Sequence, residues 1–447
     1  MSLAFLITLA GLACFAYLAW TNARYGLYIA AAFLPGYLIR FNIAGIPATL
    51  LELLILILFV VWLVKDRRWK RIRWIFWKKE RAENPIPSSY RLPIALLLVS
   101  ALIGAIVSPN TLSAWGILKA YFIEPVMLLI VAAYELREPK HVRFLIYALG
   151  APVLLIGAVS VFQYATGLWI PNPYWAALET RRATSLFGYP NAGSLFTAPL
   201  IALYAGLFAA SKTPERIYQL AIIAAGLATI FTAKTTGAFI ALGAVLWFWG
   251  IRSSRNRNAL LAATLFALLA AFWLTPLPEK LQQTAANVQA NYLDLSSSSL
   301  EIRINQWRET VALLRDHPLV GAGLAGYQQA LVPYHRYDFL EIYLYPHTIL
   351  LTTWVELGVL GVIAMIMLAL RIARTLRDSV QARLITPDGK ALTQGILFAW
   401  LTLLIHGLVD VPYFKNDLSA QFMLLLAVTL YIDRTTADLQ RKYQLRA

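Results

Sequence analysis

Apolar runs long enough to cross a bilayer recur through almost the whole chain, and no other feature limits its fold as strongly. They fall at roughly 2–20, 25–40, 47–64, 92–108, 112–134, 144–166, 190–210, 217–234, 237–251, 259–275, 347–370, 392–410 and 418–432. A hydrocarbon core about 30 Å thick takes about 20 apolar residues in a helix. A bilayer offers backbone N–H and C=O groups no partners, so uninterrupted runs of this kind must satisfy themselves as helices. The expected fold is therefore all-α, a polytopic transmembrane helical bundle of about 12–13 spans. Composition agrees: 59% of residues are hydrophobic and 14% charged, against about 25% charged in soluble domains. The 447-residue length would otherwise allow two or three soluble domains, and this composition excludes them.

The net charge of +16 raises the question of nucleic acid, which its placement answers. Loops 21–25, 65–91, 135–143, 211–216, 252–258, 371–391 and 433–447 carry 28 Lys+Arg against 10 Asp+Glu. The remainder carries 11 against 13, so the basicity sits on alternate loops, as the positive-inside rule requires of cytoplasmic loops. No basic patch is left over, and no nucleic-acid partner is expected. Segment 65–91 intersperses Trp and Phe with Arg and Lys, the pattern of a helix lying on an anionic inner leaflet. The opening stretch has no basic n-region and no A-x-A-like end, which favours a retained span over a signal peptide. Cys14 is the single cysteine, so neither an internal disulfide nor a Cys-based metal site is available.

Counting back from the basic C-terminus gives thirteen crossings and an outside N-terminus. With only Arg24 between the first two runs, a twelve-span form with both ends inside is nearly equivalent. Three regions follow: 1–274, spans with the basic loop 65–91; 275–346, an outer loop; and 347–447, the C-terminal spans and tail. In the outer loop, Ser298 and Glu301 have capping-box spacing. Leu300, Ile304, Trp307, Val311 and Leu314 then recur at helical intervals, ended by Asp316-His317-Pro318. This phase puts Arg303 at the edge of the apolar stripe and turns Asn305 and Glu309 towards water. Gly321, Gly323 and Gly326 form a G-x-G-x-x-G match without a preceding strand, which reads as a turn between short helices and not as a dinucleotide site.

Ionisable groups in spans cost roughly 2.5–3.5 kcal/mol each on insertion scales. Glu52, Lys119, Glu124, Lys234, Glu356, His406 and Asp410 are such groups. The first three suit a buried network joining helices, with a proton or ion path as the competing reading. Lys234 lies in the very short outer turn TAKTTG, either snorkelling to the interface or serving a site. Arg181 and Arg182 precede the seventh run in ETRRATSLFGYPN, as solvated loop charges or as anion ligands. His347 opens the span at 347–370 on the same outer face. An imidazole can accept a proton near neutral pH, and neighbouring cations can hold a diphosphate as leaving group. His335 is a reserve candidate, with a solvated loop position as the simpler account. No H-E-x-x-H or carboxylate cluster suggests a metal.

RATSLFGYPN at 182–191, TTGAFIAL at 235–242, R-x-x-x-W at 303–307, DHPLVGAG at 316–323 and YPHTILLTTWVELGVLG at 345–361 resemble, in order and spacing, the bacterial O-antigen ligase/polymerase superfamily. The resemblance implies a metal-independent, cofactor-free, inverting glycosyltransferase of the membrane-embedded GT-C type. Such an enzyme takes a glycan from undecaprenyl diphosphate at the periplasmic face of the inner membrane and gives it to a hydroxyl acceptor, with lipid A–core as the leading case. It maps the family's catalytic histidine onto His347 and its diphosphate-binding arginines onto Arg303 and Arg182. Where the family has Ser-Arg-Gly-Ala, this chain has Thr235-Thr236-Gly237-Ala238, and Lys234 is the candidate replacement charge. The asparagine usual after the histidine is Thr348. A polymerase using a second carrier-linked glycan is the alternative within this chemistry. A glycan flippase or proton-coupled transporter, centred on Glu52, Lys119 and Glu124, is the alternative of another class; no paired repeat supports it.

Overall fold

A computed structural model of the chain describes residues 3–43, 46–65, 84–252, 261, 299–337, 340–382 and 386–444. Outside them lie the run 259–275, most of the basic segment 65–91, the loop before Ser299 and with it the Ser298 half of the capping box. Numbered in chain order, with short turns left unnumbered, the helices are α1 (Leu3–Thr21), α2 (Ala23–Ala32), α3 (Leu50–Val64), α4 (Ser88–Val107), α5 (Thr111–Glu135), α6 (Pro139–Thr166), α7 (Pro190–Leu207), α8 (Thr213–Ala233), α9 (Thr236–Arg252), α10 (Ser299–Asp316), α11 (Ile349–Gln381), α12 (Pro387–His406) and α13 (Asn416–Gln444). The fold is an all-α helical bundle. Among the described residues, α4, α5, α6, α8 and α11 are long and apolar enough to cross a membrane, and Thr8–Thr21, Leu50–Val64 and Thr236–Ile251 are shorter apolar helices.

Among the described residues, the hydropathy pattern misjudges one run. Residues 25–40 do not form a full span: α2 stops at Ala32, and Pro35-Gly36 follows in a 3-10 turn. Ten helical residues rise only about 15 Å, and proline cannot continue the hydrogen-bond ladder. The chain then makes an antiparallel hairpin of β1 (Arg40–Ile43) and β2 (Ile46–Thr49), registered Arg40 to Thr49. Thr49 caps α3 reciprocally with Glu52.

At the centre, nearly every residue of α13 from Leu418 to Leu430 is buried, and α7 packs against α12 and α8. Apolar surface alone gives membrane helices no preference for one another over lipid, so close packing of small residues must supply it. Gly206 of α7 meets Gly395 of α12 so closely that a Cβ on the former would lie 2.5 Å from the latter's Cα. Glu52, which pairs with Lys119 at 3.2 Å and accepts from Asn416, joins α3, α5 and α13. Lys119 sits in the π-helical stretch Leu118–Ile123 that interrupts α5.

The loops group at two ends. One end gathers the hairpin, residues 167–189, the α8–α9 turn, α10 and the 407–415 connection, as Lys415 over the Tyr37 and Phe187 rings illustrates. The other carries Arg24 with Glu135 and His141, Arg371 with Asp433, and Arg434 on the carbonyl of Ala133.

Helix α10 ends at Asp316 as its sequence requires, but its buried face is rotated from the apolar stripe. Val311 is exposed, whereas Glu301, Gln306, Glu309, Thr310, Leu313 and Leu314 are buried. Glu309 therefore does not face water. The returning segment 327–337 covers that side and supplies polar partners that no helical wheel contains. Tyr327 and Thr310 share a hydrogen bond of 2.7 Å, and Glu309 accepts from Arg336 N and contacts His335 Nδ1, both at 3.0 Å. His335 is consequently a half-buried clamp and not a solvated loop residue; burial disfavours its charged form, but the bond and charge of Glu309 together with the carbonyls of Leu340 and Tyr337 outweigh this and raise its pKa. Gly321 and Gly323, both at positive φ, form the turn after α10. Within α11, Gly358 adopts φ 68°, ψ −174° and breaks the helix. The break frees the N–H of Val359 to donate to Leu319 O at 3.0 Å, docking the turn onto α11.

Candidate active site

The loop after α6 is held by one amide. Gln163, buried near the end of α6, accepts on Oε1 from the N–H groups of Thr184 and Ser185 and donates through Nε2 to Trp169 O and Ser185 O, all at 2.6–2.9 Å. All four hydrogen-bonding positions of that side chain are used, which fixes the backbone beside Arg182. Arg182 donates from Nε to Ala233 O at 2.9 Å, the carbonyl just before Lys234, and from Nη2 to Asn191 Oδ1 at 3.0 Å. Asn191, at the start of α7, passes the contact on: its Nδ2 donates to Asp410 Oδ2 at 3.3 Å.

Asp410 lies in the connection between α12 and α13 and is 5% exposed. Its Oδ1 is 3.3 Å from His347 Nδ1 and accepts from Val411 N at 2.9 Å; Arg303 Nη2 stands 3.9 Å from Oδ2. Burial alone would raise this carboxyl, but the His347 bond and the Arg303 charge outweigh it and hold it at about 2. Asp410 is thus an anion at any physiological pH. An ionised acceptor at Nδ1 places the imidazole proton there and leaves Nε2 with a free lone pair. His347 itself has a left-handed backbone, φ 52°, which costs a non-glycine residue about 1–2 kcal/mol. Neighbours hold it there: Tyr343 packs edge-on against the ring at 5.0 Å, Trp307 Nε1 donates to Pro346 O at 2.5 Å, and Ile349 N donates to Gly407 O at 2.8 Å. Such strain persists where surroundings over-determine a position, often at functional sites.

Arg303 donates from Nη1 to Val409 O at 2.7 Å, while its Nε is buried without an acceptor among the described residues. Burial and the nearby Arg303 charge both lower the pKa of Arg182. Two guanidinium groups close enough to disfavour each other, with one carboxylate among the described residues of the network, leave uncompensated positive charge suited to an anion. His406 underlies the cluster, packed so tightly against Gly237 that a Cβ there would lie 3.1 Å from its ring.

Of the residues expected from sequence, the fold brings His347, Arg303 and Arg182 into one network. Lys234 is not bonded into it: it is exposed, ends α8 in a left-handed conformation, and adjoins the carbonyl that Arg182 grips. Arg181 is turned away; its guanidinium donates to the carbonyls of Tyr164, Ala165 and Ala176, capping the end of α6. Asp410 and Asn191 are the members that sequence reasoning did not assign. Asp410 had a signal, as an ionisable group at the end of an apolar run. Asn191 had none beyond its motif. Residues 220–366 match the family model described as O-antigen ligase. That stretch contains Lys234, Arg303 and His347, whereas Arg182, Asn191 and Asp410 lie outside it. No curated protein matches the chain.

Proposed function

We propose, from the match of residues 220–366 to the O-antigen ligase family model, that the chain is a member of the O-antigen ligase/polymerase superfamily and transfers a glycan from undecaprenyl diphosphate to an acceptor hydroxyl at the outer face of the inner membrane. The observation that carries this reading is the buried Asp410 carboxylate, which contacts the His347 imidazole on one side and, on the other, stands beside the Arg303 guanidinium and is joined to that of Arg182 through Asn191. His347 Nε2 takes the proton of the acceptor hydroxyl as its oxygen attacks the anomeric carbon. The bond from that carbon to the diphosphate oxygen breaks on the opposite face, with inversion, and the diphosphate leaves with the electron pair. Arg303 and Arg182, with Lys234 at the rim, neutralise the charge that grows on the leaving oxygens. Asp410 stays ionised and stabilises the imidazolium. Lipid A–core is the acceptor proposed first.

The test is incubation of purified protein with undecaprenyl-diphosphate oligosaccharide and acceptor, read by product mass. His347→Ala should lower transfer by about 10²–10⁴-fold, the usual worth of a general base, while the protein still inserts and binds donor. Transfer near the normal rate in that variant would remove His347 from the mechanism. Discrete capped acceptors are expected; a ladder of products would make the acceptor a second carrier-linked glycan.

A further inference from the structure

At the end of the bundle away from His347, helices α6, α7, α8, α11, α12 and α13 line a half-open cavity of about 600 Å³. Ile146, Leu207 and Leu392 give it apolar walls. Its charged residues are Arg143 and Glu215, paired at 3.1 Å, and the exposed Lys212 and Asp388. Gln219 also lines it and is 4% exposed. Its Nε2 donates to Ser211 Oγ at 2.6 Å, but its Oε1 is buried and accepts nothing among the described residues. A buried amide oxygen in this state calls for a donor.

The lining therefore specifies its complement. Among the described residues, with Arg143 and Glu215 cancelling, one cation (Lys212), one anion (Asp388) and one unfilled acceptor (Gln219 Oε1) remain beside apolar walls. We propose that the cavity binds a phospholipid whose headgroup carries a primary ammonium. Its phosphate pairs with Lys212, its ammonium donates to Gln219 Oε1 and faces Asp388, and its chains lie along Ile146, Leu207 and Leu392. A choline headgroup has no N–H to give Gln219. A glycerol headgroup has hydroxyl donors but brings a net negative charge to Asp388. A soluble zwitterion leaves the apolar walls wet. This site is independent of the transfer chemistry at the other end.

Native mass spectrometry of the full chain in detergent, titrated with phosphatidylethanolamine, phosphatidylcholine, phosphatidylglycerol or soluble phosphoethanolamine, tests the assignment. Phosphatidylethanolamine should be retained about tenfold more tightly than phosphatidylcholine, the worth of one satisfied buried acceptor. Gln219→Leu should abolish that preference, and Ala391→Phe, which fills the cavity, should weaken retention of both lipids. Equal retention of the two lipids by the unaltered protein would overturn the proposal. So would preference for phosphatidylglycerol, or phosphoethanolamine binding as tightly as the lipid. The comparison on the unaltered chain stands even if a variant does not fold.

Discussion

A carboxylate buried as deeply as that of Asp410 persists as an anion only if donors and cations surround it, and it has His347, Arg303, Asn191 and its own neighbour's N–H. Asp410→Asn keeps the shape but offers His347 an amide in place of an anion, so the imidazolium formed during transfer loses its stabiliser. Steady-state kinetics should show kcat reduced by about 10²–10⁴-fold with donor KM little changed; unchanged kcat would make the contact merely structural. The same pair predicts a pH effect on stability. Because folding depresses this carboxyl, its contribution is complete above its unfolded value of about 4 and is lost as pH falls through about 2. The difference in Tm between the unaltered chain and Asp410→Asn should be constant above about pH 5 and shrink steadily between about pH 4 and 2. A gap that widened on acidification would contradict the assignment. His347 was readable as a histidine at a loop-to-span boundary, and Arg303 as a cation at the edge of an amphipathic helix. Asp410 was readable only as an expensive residue without a partner. The partner lies 63 positions away, and no local pattern encodes which of two histidines, the buried His406 or the partly exposed His347, the carboxylate will face.

Apart from the run 25–40, cut short at Pro35, elements built from hydropathy alone were legible because the membrane leaves helices few alternatives; those that depend on a neighbour were not. Helix α10 shows the difference. Its period and its stop at Asp316 were in the sequence, but its orientation was decided by the 327–337 segment, whose Tyr327 and His335 give buried Thr310 and Glu309 their partners. The same holds for the 182–191 loop, ordered by a glutamine on the preceding helix. Gln163→Leu would strand the N–H groups of Thr184 and Ser185 and the carbonyls of Trp169 and Ser185 inside the protein. Unsatisfied buried groups cost about 1–3 kcal/mol each, but this loop has an escape, which is to open. The expected outcome is faster amide exchange confined to Thr184 and Ser185 and their neighbours, with transfer reduced at least about tenfold because Arg182 loses its seat. Unchanged exchange at those two amides would show that the loop is held by something else, such as the Arg182–Ala233 contact.

For the whole molecule, the two-ended arrangement of loops and the +18 to −2 division of charge are separate facts that point to one orientation. The division follows from counting alone. The structure, without reference to charge, puts Arg143, Lys212, Arg371 and Arg434 at one end and the His347–Asp410–Arg303 cluster at the other. Basic loops remain on the cytoplasmic side because translocating them is unfavourable, so the cluster should face out, where a lipid-linked glycan would be presented. Cys14 is exposed and must first be removed as Cys14→Ser. Against that background, Leu178→Cys and Leu319→Cys, both strongly exposed on the cluster's side, should react with an impermeant maleimide in intact spheroplasts. Lys140→Cys and Lys390→Cys, exposed at the opposite end, should react only after permeabilisation. The reverse pattern would put the imidazole on the cytoplasmic face. The transfer chemistry would then need a donor whose glycan faces the cytoplasm, and the proposed acceptor at the outer face would be out of reach.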